Sequence, residues 1–544
     1  MPEPQNPDAV EPGVPLEPAV APPLTTEPPA AAEDAHADDE SLEPSAPASR
    51  ARARRVALLS LRLVAGTVAV VAAAATIAAV GLVPFPDVGI TPPSATVTPV
   101  PADEVRACAG SALRFGDETG ANADTAAPIG VPAVRSGAVN AQLERSAIAA
   151  SDAGNGGSSS APTVLRIASA DGSALAGAQS QAVDTRDFRG FAVAGCAEPS
   201  GSIWLVGGAT TVGRTTILTL SNPTEVAAQV SLSIFGEQGA VQAPGLTGID
   251  VPAGTQRVLS LAGFAPGLVS PVVHVEARGG QVVAYLQQSI VRGLDATGVD
   301  LVGGAPDPGT EMTFAGVQIF DSLGTSRALA LDDWHDVAPV VRILNPGTAP
   351  TEVTVSVTPV DPSIAGTSFP VQMEPGVVTE VGLDSGAEVD SGVSLADGTY
   401  TVTMTADQPF VAGVRTSAAA DIGPIETQDA IQAPASDLAW YSGSSPLEGD
   451  ALVVVANGPH PELAAVNPTT ADVSLVLDAQ DGADITLVVP AGGAATTPVT
   501  PGVSYLLTGA NGLYAAVSYA ADDSLGAYPV TSARPVSGPI VIRQ

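Results

Sequence analysis

From about residue 200 onward, apolar and polar residues trade places every second position. Val230, Leu232 and Ile234 alternate with Gln229, Ser231 and Ser233, and the pattern recurs at Val353, Val355 and Val357 and at Val473, Leu475 and Leu477. A period of two places each set on one face of a strand, toward a core. Each alternation follows an apolar run that ends in Asn-Pro, at Asn222–Pro223, Asn345–Pro346 and Asn467–Pro468. The three dipeptides are 123 and 122 residues apart. A Pro-Gly-type turn comes next: Pro252-Ala253-Gly254, Pro375-Gly376 and Pro490-Ala491-Gly492. An apolar strand closes each copy, at Val283–Leu286, Val411–Val414 and Tyr514–Val517. Elements repeating in one order three times predict tandem copies of a single unit. Proline cannot donate to a central ladder and Asn favours a turn, so each Asn-Pro marks a strand end. Short alternating strands cut by Gly, Pro, Asn and Asp predict a mostly β chain of small antiparallel sandwiches, Ig-like or fibronectin-like in architecture.

One segment breaks the period. Leu63 to Val83 is a run of twenty-one residues without a charge. At about 1.5 Å per residue it spans roughly 30 Å, the hydrocarbon thickness of a bilayer. Arg50, Arg52, Arg54, Arg55 and Arg62 precede it, and Asp87, Asp103 and Glu104 are the first charges after it. The positive-inside rule then leaves the N-terminus cytoplasmic and exports the bulk of the chain. A cleaved signal peptide fits less well than a signal anchor, because a long acidic leader precedes the arginines and no A-x-A site follows closely. Arg54–Arg55 is a poor match to a twin-arginine signal. Residues 1–49 carry twelve prolines, eleven acidic residues and no basic ones, so they read as disordered.

Composition narrows the function classes. Fifty-seven acidic residues face 21 basic ones, all of them arginine, for a net charge of −36. A nucleic-acid binder needs clustered cations, which excludes that class. Cys108 and Cys196 are the two cysteines, and both lie on the exported side, where an even count reads as one disulfide. Closing a loop of about ninety residues contributes on the order of 4 kcal/mol. Candidate chemistry is sparse. The exported histidines are His274, His335 and His460, with no G-x-S-x-G elbow, no H-E-x-x-H helix and no Walker lysine. Asp478, Asp481 and Asp484 in DAQDGAD miss the calcium-loop spacing and read as a hairpin tip. No catalytic, cofactor or metal residues are therefore assigned, and the chain reads as non-enzymatic. The three tryptophans, Trp204, Trp334 and Trp440, fall one per copy. Each is expected at a core or domain edge, with an aromatic ligand platform as the functional alternative.

The expected organisation is an acidic cytoplasmic tail (1–49), an Arg-rich flank and transmembrane helix (50–83), a Pro-rich stalk (84–104), a first β unit (105–310), a second sandwich (311–430) and a third (431–544). The stretch 105–200 reads either as strands of the first unit broken by the Gly154–Ser160 loop or as a separate small domain. Cys108, Cys196, Trp204 to Gly208 and Leu220 to Pro223 together resemble an uncharacterised actinobacterial family of membrane-anchored or secreted proteins. That resemblance implies a cell-envelope location, often beside glycosyltransferase genes, and supplies no catalytic residues. The expected partners are envelope proteins or polysaccharide and, through one helix, the membrane.

Overall fold

The computed structural model describes residues 103–116, 125–153, 160–168, 170, 172–186, 188–386, 395–423, 434–532, and the backbone of two short strands, Ser94–Val97 and Ile540–Arg543. The acidic tail and the apolar run Leu63–Val83 lie outside the described residues, among which no helix is long and apolar enough to cross a membrane. Ser94–Val97 pairs antiparallel with Ile540–Arg543, so part of the expected stalk is in a ladder. Pro93–Gln544 forms one compact unit.

The chain is mostly β, in several antiparallel sheets. The copy around Asn222 shows the plan. Arg214–Ser221, the Asn-Pro strand, lies between the turn strand Thr255–Ser260 and the closing strand Val283–Arg292, which forms a hairpin with a last strand, Asp295–Val302. Facing them, the return strand Val272–Gly279 lies between the lead strand Ser202–Val206 and the alternating strand Ala228–Gly236, with Ile249–Val251 at the edge. Leu218, Leu220 and Leu286 from one sheet meet Leu205, Val230 and Val275 from the other in one core. The Asn345 and Asn467 copies repeat every pairing; in the former, one strand, Gly398–Ala419, serves as both return and closing strand.

The Asn-Pro signal has a common atomic basis. Asn222, Asn345 and Asn467 are each fully buried. Each Nδ2 donates to the carbonyl four residues on, at 2.8 Å in all three copies. Each Oδ1 accepts from the backbone N–H two residues on, at 2.9–3.0 Å. The side chain thus satisfies the turn's own polar groups, which proline cannot do. The following turn needs a residue at positive φ, supplied by Gly254 (68°), Gly376 (70°) and Gly492 (62°).

The connectivity departs from the immunoglobulin expectation. In that fold the first two strands, A and B, share a sheet. Here the first, lead strand pairs with the return strand, in the sheet opposite the Asn-Pro strand, which pairs with the turn and closing strands.

A fourth copy, which the Asn-Pro signal does not mark, precedes the other three, so the stretch 105–310 holds two sets of sheets. Glu104–Ala107, Thr163–Ile167 and Glu144–Ala147 pair as lead, return and alternating strands. Ala133–Val139, Ala174–Asp184 and Arg189–Gly195 pair as Asn-Pro, closing and last strands. Asn140 follows its strand as the other asparagines do, but Ala141 replaces the proline. No edge or turn strand of its own is present among the described residues of this N-terminal copy; Ala150–Ser151 instead pairs in parallel with Thr255–Gln256 of the next copy. Its reduced core contains Leu165, Ile167, Leu175 and the Cys108–Cys196 disulfide.

The four copies close head to tail. Ala107 packs with Val283 and Tyr285, and Trp204, Val206 and Val272 join the core of the Asn345 copy. Ala315 meets Ala464, Val466 and Ala516, and Leu452 and Val454 return to Ala174 and Ala176 of the N-terminal copy. A heterologous contact whose rotation closes yields a ring. The four last strands, Arg189–Gly195, Asp295–Val302, Ser436–Ser442 and Ser524–Pro529, pack around its axis.

Candidate functional site

Two buried polar clusters dominate the described residues: one on the axis, one between the Asn222 and Asn345 copies. At the axis, the carboxylate of Asp437 is almost wholly enclosed. Its Oδ2 accepts from the N–H groups of Phe191 (2.8 Å) and Leu525 (3.0 Å), and its Oδ1 from Val299 (3.2 Å). The N–H of Leu438 in its own strand also contributes. Each of the four copies therefore sends one backbone donor to a single side chain. Gly190 and Gly298 hold the places equivalent to Asp437 in the first two copies. A Cβ on Gly190 would fall 2.4 Å from an Asp437 oxygen. Burial pushes the Asp437 carboxyl well up, and the four donors pull it back. Asp300, also buried, accepts from the N–H groups of Trp440 (2.6 Å) and Leu301 (2.8 Å) and is likewise pushed up by burial.

Between the Asn222 and Asn345 copies, fully buried Arg342 pairs with Glu380 at 2.7 Å. It also donates to the carbonyls of Gly208, Pro271 and Val269 across the junction, and its guanidinium lies 4.5 Å from the Trp440 ring centre. Burial would push Glu380 up, but Arg342 and Arg415 beside it hold it below the ordinary carboxylate range. Arg214 reaches across to Asp333 (2.6 Å) and Asp336 (2.9 Å), and Arg292 to Asp336 (2.6 Å) while resting over Trp334. These arginines supply the planar, many-donor cation that such capping needs.

The junction predicts an acid response. Burial pushes Asp336 up, yet Arg214 and Arg292 outweigh it and hold its pKa down to about 2. A lowered carboxyl contributes stability that is full above its unfolded value and is lost as pH falls through the folded one. The contribution is on the order of 2 kcal/mol. The melting-temperature gap between wild type and Asp336→Asn should therefore be constant near neutrality and close between about pH 4 and pH 2. A gap unchanged at pH 2 would show that the two arginines do not hold this carboxylate.

The residues singled out in the sequence fall as follows. Cys108 and Cys196 form the expected disulfide. Trp204, Trp334 and Trp440 do not occupy equivalent places: they lie on a lead strand, in a loop beside a 3-10 turn, and on a last strand. They are only 7%, 4% and 1% exposed, so no open ring face is available as a ligand platform. The histidines stand in three different copies. His274 is half-buried and stacked on Trp204 at 4.0 Å, with Ser202 Oγ 2.9 Å from its Nε2. Burial pushes its pKa down against the pull of Glu276 and Asp307. No carboxylate among the described residues hydrogen-bonds the other ring nitrogen. DAQDGAD joins the antiparallel strands Val473–Ala479 and Ile485–Val489, with Asp484 accepting from the Ala479 N–H at 3.1 Å, as a hairpin tip does. The described residues contain no group of three or more metal-ligating side chains.

Sequence reasoning missed the axis. Its trace is an acidic residue set beside buried apolar residues in a strand, Asp437 before Leu438–Tyr441 and Asp300 between Val299 and Leu301. No curated protein matches the chain. Residues 149–502, reaching from the N-terminal copy to the Pro501-Gly502 turn of the last, match a family of unknown function, DUF5719, and the chain belongs to that family.

Proposed function

We propose that this is a non-enzymatic, single-pass membrane protein of an actinobacterial cell envelope, which presents a closed ring of β-sandwiches outside the cytoplasm as a structural or interaction platform. The observation that carries the reading is the closure of four copies on Asp437. The polar groups with the most distinctive surroundings, Asp437, Arg342, Glu380, Arg214 and Asp336, are spent on joining copies to one another. A body so joined suits a rigid display surface rather than a site that must open for substrate. The charge-free run Leu63–Val83 and its arginine flank support the anchor and its direction.

Fractionation of cells making the full chain with a C-terminal tag tests this. The tag should sediment with membranes and be removed by protease added to intact, wall-stripped cells. Deleting residues 63–83 should leave it protected in the cytosol. A tag that is soluble and protected in the unaltered protein would overturn the reading.

A further inference from the structure

The outer edge strands of the three full copies differ in a way that points to a docking site. In the Asn222 copy this strand is Ile249–Val251, and Asp250 at its centre is exposed. In the Asn345 copy it is Thr367–Met373, interrupted by exposed Pro370. Charge and proline on an edge strand are devices that prevent another chain from pairing with it. In the Asn467 copy the strand is Ile485–Val489, Ile-Thr-Leu-Val-Val, with neither device. Among the described residues it pairs on one side only, with Val473–Leu477, and Val488 is 59% exposed. Register makes the comparison residue by residue. Pro370 lies opposite Thr354 as Thr486 lies opposite Val476, and Asp250 lies opposite Gln229 as Val488 lies opposite Ser474.

Charge selects the occupant. Residues 446–532, which make up the Asn467 copy, contain nine acidic residues and no lysine or arginine. Asp472, Asp478, Asp481 and Asp484 lie close to the strand in the chain. A second copy of this strongly acidic protein would be repelled, whereas a cationic chain is steered in.

We propose that Ile485–Val489 is a strand-addition site for an extended segment of a partner protein, alternating in apolar residues and flanked by arginine or lysine. Backbone pairing supplies the affinity, and the surrounding carboxylates choose the sign of the flanks. The inference rests on the interaction reading above, but it is measured on purified protein and so fails separately from localisation.

The test uses the full chain in detergent and a fluorescein-labelled peptide, Arg-Val-Thr-Val-Thr-Val-Arg, followed by anisotropy. Saturable binding at low salt is expected, at least tenfold weaker for the same peptide with glutamate ends. T486P installs the proline that the Asn345 copy already carries at this register. V488D installs the aspartate of the Asn222 copy. Each should weaken binding at least tenfold without lowering the melting temperature by more than a few degrees. Equal binding by wild type and both variants, or no saturable binding at low salt, overturns the proposal. A dimer of the full chain that T486P dissolves would overturn the choice of partner in favour of self-pairing.

Discussion

Replacing Asp437 with alanine should give the largest loss of stability of any single substitution on the ring axis. The substitution leaves the N–H groups of Phe191, Val299, Leu438 and Leu525 without an acceptor inside a packed centre. Each buried, unsatisfied donor costs about 1–3 kcal/mol, and even with water entering the space the total should exceed about 3 kcal/mol. Asp437→Asn is the informative companion. It keeps the shape and one acceptor oxygen but turns an amide against the remaining donors, so it should recover only part of the loss. Chemical denaturation of the two variants checks the order, and an alanine variant as stable as wild type would show that the four strands are held by apolar packing alone. Because the Asp437 pKa is raised, the pH-dependent part of its contribution is full below the unfolded value and falls away as pH rises through the folded one. This is opposite in sign to Asp336.

The second large effect is expected at the disulfide. The N-terminal copy lacks its own edge and turn strands among the described residues, and its core around Leu165, Ile167 and Leu175 is correspondingly small. Small cores that cannot bury enough apolar area are stabilised by cross-links, and here the bond joins residues 88 apart in sequence. The double variant Cys108→Ser, Cys196→Ser should lose on the order of 4 kcal/mol. Its distribution matters more than its size. Hydrogen exchange should rise first in Glu104–Ala107, Thr163–Ile167 and Ala174–Asp184, while the Asn345 copy stays protected. Uniform loss across all four copies would mean that the ring melts as one cooperative body and that the reduced copy is not its weak point.

What was legible in the sequence and what was not follows from the physics of each feature. Alternation at Val230–Ile234, Val353–Val357 and Val473–Leu477 was readable because period two is local, and Asn-Pro because a buried turn asparagine does the same work each time. The N-terminal copy escaped notice because it lacks the proline and, among the described residues, the edge and turn strands, the features that made the others visible. Pairing order is a long-range property, and no local pattern distinguishes a closing strand that joins one sheet from a return strand that joins the other. The tryptophans are buried, as a core or domain edge requires, but one per copy does not hold: Trp334 and Trp440 both belong to the Asn345 copy and cushion arginines, and Trp204 cushions a histidine. Asp437 could not be read as the centre, since its partners are backbone groups that any sequence possesses.

Closing a ring by joining its first part to its last has a consequence for the order of synthesis. Ala174 and Ala176 leave the ribosome early, but Leu452 and Val454, which cover them, follow roughly 280 residues later; at 5–20 residues per second this is a delay on the order of tens of seconds. Throughout that interval the first copy must survive with one face bare. It is also the copy with the smallest core and the only cross-link, and both halves of that cross-link have been made long before the covering residues appear. If the chain is exported as it is made, as the proposed anchor implies, the bond can close before the ring does and keep the opening segment in shape until the chain has grown long enough to come back and meet it.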